Sequence, residues 1–192
     1  MDPINIFVGL NLIATFGANL SGAKGGLKQK LTVAKEKPKT YLQKLPLVLS
    51  ALTLIGLILG VFQIGTFEYK VEYENARLIG LVVYIIFSWV QIWGYKTLAQ
   101  NYSQDIMILK DHELVKSGPF KIIRHPQYLS QILLDIGGAL AILSYIVIIL
   151  AIIEIPFLIM RALLEDKLLE KHFKGDYAEY KRKSSFMIPF IG

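Results

Sequence analysis

The sequence predicts an all-α fold: a polytopic membrane helix bundle of about five transmembrane helices, the last two a short helical hairpin. Three observations predict it. First, 54% of the 192 residues are hydrophobic, only 19% are charged, and the mean hydropathy is +0.47, whereas soluble domains average about a quarter charged residues. Second, the apolar residues are concentrated in runs. Third, the charges between the runs alternate in sign from loop to loop. The apolar content excludes a disordered chain. The absence of cysteine excludes a disulfide-stapled domain and a cysteine metal site.

The elements follow in order. Residues 3–21 form a first span interrupted by Gly9 and Gly17. It lacks a basic leading segment and a small-x-small cleavage site, so a membrane helix is expected rather than a cleaved signal peptide. Residues 45–65 are free of charge, as are 78–95 within the third span, 77–97. Each matches the roughly 20 residues a helix needs to cross hydrocarbon. The last apolar region, 128–160, is too long for one helix: about 48 Å against a core of about 30 Å. A break near Leu143-Ser144-Tyr145 divides it into spans 127–142 and 145–163. Pro156 is expected to kink the second of these. Asp135 and Glu154 fall at similar depth on the two antiparallel helices, as a proton-sharing pair, as the lining of a polar tunnel for an acceptor's head, or each protonated and singly hydrogen-bonded in the core.

Loop charges orient the bundle. The first loop holds Lys24, Lys28, Lys30, Lys35, Lys37, Lys39 and Lys44 against Glu36; the second holds Lys70 against Glu68, Glu72 and Glu74. The third loop and the tail are basic again. Basic loops stay inside, which puts the N-terminus outside and the tail in the cytoplasm, as five spans require. Membrane topology and anionic lipid headgroups account for the net charge of +6. No nucleic-acid partner is expected, because no stacking platform or groove-reading motif accompanies the lysines. The three histidines lack metal-ligand spacing.

Two polar stretches on the cytoplasmic side could carry chemistry. One contains Gly118-Pro119, a turn signal, and Arg124-His125 before Pro126, which suits a helix start. The other places Arg161 and Glu165 four residues apart on one helix face.

Together the stretches read Gly118-Pro119-Phe120-x-x-x-Arg124-His125-Pro126-x-Tyr128, a hydrophobic hairpin, Arg161-x-x-x-Glu165-Asp166, then Phe173-x-Gly175-x-Tyr177-x-x-Tyr180. This ordered set, with Asn101-Tyr102-Ser103 and His112-x-Leu114 upstream, resembles the isoprenylcysteine carboxyl methyltransferase family, within a wider group that includes phospholipid methyltransferases. The resemblance covers about residues 77–190. It departs from the usual pattern at Phe120, commonly Tyr, and at Asp166, commonly a second Glu.

The resemblance implies an S-adenosylmethionine-dependent methyltransferase with two regions. Residues 1–76 would supply spans and a basic loop, and residues 77–192 the methyltransferase core. His112, Leu114, Gly118, Pro119, Phe120, Arg124, His125, Pro126, Tyr128, Glu165 and Asp166 would bind the cofactor. Arg124 or His112 would take its carboxylate, and Glu165 and Asp166 its ribose, amino group or sulfonium. Arg161 and Glu165 are the catalytic candidates: Arg161 to orient a carboxylate acceptor, Glu165 as base for an amine. The partner would be a lipid-like acceptor from the bilayer, a prenylcysteine-type carboxylate or a phospholipid amine. A monomer suffices. The rivals are an NADPH-dependent reductase of the sterol reductase type and a non-enzymatic scaffold or small transporter.

Overall fold

The computed structural model describes residues 2–29 and 34–190. Its helices are α1 (Pro3–Gln29), α2 (Leu45–Val61), α3 (Glu74–Leu98), α4 (Pro126–Ala141), α5 (Tyr145–Phe173) and α6 (Gly175–Lys183). A two-stranded antiparallel ribbon, β1 (Ala34–Glu36) with β2 (Ile108–Leu109), joins the loop after α1 to the loop after α3. Among the described residues, three segments are long and apolar enough to cross a membrane: Tyr41–Val61, Val71–Asn101 and Tyr145–Phe173. The apolar part of α1, Pro3–Gly17, and the 16-residue α4 are shorter. Large apolar side chains face outward along the bundle, with Ile13, Ile79 and Ile149 among the most exposed. That is the pattern of a lipid-facing belt.

The break expected near Ser144 is present. Leu143 turns the chain with φ +56°, and the Ser144 side chain accepts from the Val147 N–H (3.2 Å) to cap α5. The Ser144 hydroxyl also donates to the Gly65 carbonyl (3.1 Å), fastening the loop after α2 to the hairpin. The second arm is longer than the expected 145–163. α5 runs through Pro156 to Phe173, because charged residues after Ala162 are good helix formers and stop the membrane span without stopping the helix. Arg161, Glu165 and Asp166 are thereby carried on one rigid rod.

α3 packs closely against α4, with α1 on its flank, and α5 lies against α2 and α4. Glycine permits the α3–α4 approach. A Cβ at Gly80 would stand 2.7 Å from the Gly137 carbonyl oxygen and 2.7 Å from the Ala141 nitrogen. A Cβ at Gly137 would stand 2.7 Å from the Tyr84 nitrogen. Backbones this close gain dispersion contacts that lipid does not supply.

The end of the bundle remote from the motifs is closed by Arg77. Its guanidinium donates to the Ala141 carbonyl (2.9 Å), to both Asp2 oxygens (2.8 and 2.6 Å) and to Asn5 Oδ1 (3.0 Å). The Arg77 hydrogen bonds hold the Asp2 carboxyl below its ordinary range. The Asn5 amide in turn donates to the Val61 carbonyl (3.2 Å), so α1 through α4 meet there.

Because two of the three atoms that crowd the Gly80 Cβ position are backbone and the third is the Leu140 Cβ, Gly80→Ala forces α3 and α4 apart. Overpacking of this kind costs about 1–3 kcal/mol. The expected result is a clear drop in melting temperature in detergent. An unchanged melting temperature would mean that the two backbones do not touch.

Candidate active site

At the other end, the site is built around Asp166. This buried carboxylate accepts from Arg124 Nε (3.3 Å), from the Tyr177 hydroxyl and from His125 Nε2 (2.6 Å, as the tautomer protonated there). Its three donors come from three places: the loop before α4, the first residue preceding α4, and α6. Arg124 also donates from Nη1 to the carbonyls of Ser184 (2.5 Å) and Lys181 (3.3 Å). Backbone bonds lace the same segments, Arg124 N–H to the Ser185 carbonyl (2.9 Å) and Ser185 N–H to the Ile122 carbonyl (3.1 Å). Tyr180 donates to the Phe120 carbonyl (2.7 Å).

The turn ahead of this lacework requires glycine. Gly118 has φ +57°, and a Cβ there would meet Thr97 Oγ1 at 2.8 Å. Pro119 and Phe120 follow in a 3-10 turn, and Pro126 opens α4 where its missing N–H costs no helical bond.

Glu165 is the next residue on α5 and points elsewhere, because successive helical residues are about 100° apart. It faces a cavity of about 270 Å³. Its carboxylate accepts from the Tyr128 hydroxyl and lies 3.9 Å from Arg161 Nε and 3.8 Å from His125 Nδ1. Arg161 Nε donates to the Tyr128 hydroxyl (2.8 Å), Nη1 to the Leu42 carbonyl (3.1 Å) and Nη2 to the Gln104 carbonyl (2.5 Å). Five guanidinium N–H donors minus these three leave two available.

His112, Leu114, Phe120, Arg124, His125, Tyr128, Arg161 and Glu165 all line the cavity. Gly118, Pro119, Pro126 and Asp166 do not; they form the turn, the helix start and the buried anchor behind it. The structure therefore gives Asp166 three internal donors where the family pattern suggests a cofactor contact. His112 differs in a second way. Burial, reinforced by the neighbouring His172, pushes its pKa down to about 4, so it is neutral near pH 7 and offers a hydrogen bond but no positive charge. Burial pushes the Tyr102 hydroxyl up, keeping it a neutral donor on the wall.

Several positions that build the cavity are not evident from the sequence. Leu42 and Gln104 act through backbone carbonyls, which residue identity does not reveal. The Gln43 amide donates to the Ile106 carbonyl (2.9 Å) and accepts from the Ile106 N–H (2.8 Å), stitching the first loop under the cavity. Gln91, Gln127 and Gln131 are also on the wall. Their signal was available: uncharged amides inside or beside apolar runs. Asp135 and Glu154 do not pair with each other. Asp135 accepts from Gln131 (2.7 Å), and Glu154 accepts from the Ser50 hydroxyl.

The residues suit S-adenosylmethionine. Glu165 offers negative charge, Tyr95 and Tyr102 form a ring pair with centroids 4.8 Å apart, and Gln127 Nε2 is buried without a partner among the described residues. Those groups would hold the sulfonium and ribose side, the adenine, and a polar edge.

Residues 78–171 match the family model described as the Isoprenylcysteine carboxyl methyltransferase (ICMT) family. The chain is also 30% identical over 128 residues to the Protein-S-isoprenylcysteine O-methyltransferase of Saccharomyces cerevisiae. That alignment covers 65% of this chain and 54% of the relative, so the chain spans about half the length of the protein it matches.

Two outcomes follow from the geometry. Asp166→Ala strands buried Arg124 and His125, and breaking a buried pair in this way costs about 3–5 kcal/mol; the variant should melt far below the wild type. For His112, the unfolded chain binds the proton at pH values where the folded chain does not. Stability is therefore full above about pH 6.5 and falls as pH drops toward 4. Melting curves across that window should show a shallower slope for His112→Gln. An equal slope would place the histidine in water.

Proposed function

We propose that this chain, whose residues 78–171 match the model of the isoprenylcysteine carboxyl methyltransferase family, transfers a methyl group from S-adenosylmethionine to the carboxylate of a prenylcysteine-like lipid. The observation that carries this reading is the Arg161–Tyr128–Glu165 array on the cavity wall. When bound, the donor supplies a methyl on a positively charged sulfur, ready for in-line displacement. The protein's task is then positioning and charge complementarity.

Glu165 is the negative partner for that positive charge. Tyr128, donating to Glu165 and accepting from Arg161, fixes the spacing of the two. Arg161 uses its two available donors to draw in the acceptor carboxylate, which needs no base because it is already a nucleophile. An amine acceptor would need Glu165 free to take a proton, and its engagement by Tyr128 and nearness to Arg161 weigh against that role. The loop charges support a cytoplasmic site and tail, where a polar donor is at hand, while the acceptor arrives from the bilayer. One chain supplies every wall of the cavity, so no oligomer is required.

Calorimetric titration in detergent tests the reading. Saturable binding of S-adenosylmethionine and of its uncharged product S-adenosylhomocysteine is expected, with Glu165→Ala weakening the charged donor far more than the product, and with no binding of NADPH. Binding of NADPH alone would make the protein a reductase, and binding of neither would make it a scaffold. With tritiated donor and a prenylcysteine analogue, Glu165→Gln should lower turnover by about 100-fold, the size seen for loss of one charge-stabilising group.

A further inference from the structure

The segment after α6 carries a face that the cavity does not use. Ser185 N–H donates to the Ile122 carbonyl (3.1 Å), Arg124 N–H to the Ser185 carbonyl (2.9 Å) and His125 N–H to the Phe186 carbonyl (3.2 Å), so this segment runs parallel to residues 122–125. The two paired segments present a mixed surface. Ile122 (52%), Ile188 (53%) and Phe190 (96%) are exposed, and so are Lys121, Arg182 and Lys183. Large apolar groups beside cations suit an occupant that satisfies both.

The place of this face in the fold names that occupant. Arg161 is the first charge after the apolar run 155–160 of α5, and its bond to the Tyr128 hydroxyl (2.8 Å) sets the first turn of α4 level with the end of that run. The parallel pairing carries the segment toward the same level: with Phe186 opposite His125, Met187 is level with Pro126, the first residue of α4. Ile188 and Phe190 therefore come out where the bundle passes from hydrocarbon to headgroups. An apolar tip with cations close behind it is the pattern of a segment that inserts shallowly into a lipid surface, its apolar groups below the headgroups and its cations among them. The nearby acids do not cancel this. Glu179 pairs with Lys183 (2.5 Å) and Glu170 with Lys181 (3.4 Å), but exposed pairs of this kind hold weakly and leave the lysines open to a phosphate. Asp176 lies at the opposite end of α6.

We propose that this face docks on an anionic lipid surface and that its docking braces the cofactor cavity. The same stretch of chain holds the site together. Tyr177 donates to Asp166, and the carbonyls of Lys181 and Ser184 accept from Arg124, which lines the cavity. Fastening the segment to the membrane removes conformational freedom that ligand binding otherwise has to remove, which strengthens binding without any new contact to the ligand. The docking stands by itself; the bracing rests on the methyltransferase reading above.

The full chain reconstituted in nanodiscs tests both. The chain has no cysteine, so Phe190→Cys accepts a single environment-sensitive fluorophore. In discs of equal parts phosphatidylcholine and phosphatidylglycerol, its emission should shift to the blue and be quenched by spin-labelled acyl chains; in phosphatidylcholine alone both signals should weaken. Combining Lys121→Gln, Arg182→Gln and Lys183→Gln should erase the difference between the two lipids. The unlabelled wild type should bind S-adenosylhomocysteine about fivefold tighter in the anionic discs, the low end of ordinary coupling between sites. The triple variant should bind it equally in both, which also reports that it is folded. A fluorophore that stays in water in the anionic discs overturns the docking. Equal insertion in both lipids, or a lipid difference that survives in the triple variant, overturns the role of the charges. Lipid-dependent insertion with unchanged affinity overturns the bracing alone. A wild type that binds no S-adenosylhomocysteine in either disc overturns the underlying reading instead, and the fluorophore still decides the docking.

Discussion

The buried Asp166 carboxylate is the constraint on which the active end of the molecule depends. A negative charge out of water demands donors, and Arg124, His125 and Tyr177 supply them from three separate segments. Satisfying one side chain thus fixes the loop before α4, the start of α4 and the orientation of α6. It also fixes Glu165. With Asp166 turned into the protein, the helical step of about 100° leaves its neighbour facing the cavity. Two adjacent acids on one helix thereby take opposite places, one anchoring three segments and one facing the cavity.

The site also depends on the N-terminal third. Arg161 is on α5, yet two of its nitrogens are held by carbonyls of Leu42 and Gln104. Gln43 bridges both backbone groups of Ile106, and the β1–β2 ribbon joins the same two loops. The segment between α1 and α2 is therefore part of the scaffold that aims the guanidinium. Beneath it, Leu42, Ile106, Ile108 and Leu168 form a small apolar cluster that keeps water from those bonds.

Much of this was legible in the sequence, and the reasons for the rest are physical. The hairpin break is readable because a predominantly apolar stretch of 33 residues, 128–160, cannot fit one membrane crossing and Ser144 is a helix-capping residue. Arg161 and Glu165 were readable as partners because helical spacing settles who faces whom. Their link through Tyr128 was not, since it joins two helices whose relative rotation no local pattern encodes. The same limitation explains Asp135 and Glu154. Equal depth places two residues on one level, but only azimuth brings them together, and each found its own partner. Contacts to the carbonyls of Leu42 and Gln104 leave no trace in residue identity at all. The far reach of α5 was missed because hydropathy marks where a span leaves hydrocarbon, while helices end at caps such as Lys174.

The Arg77 network at the remote end has a mechanical corollary. It pins α1, α2, α3 and the end of α4 to one point through Asp2, Asn5 and the Ala141 carbonyl. α3 extends 25 residues from near that pin, about 37 Å. A tilt of a few degrees at the pin would displace its opposite end by roughly 2–3 Å. Any rotation of α3 about that pin therefore has its smallest effect at the Arg77 end and its largest at the cavity end.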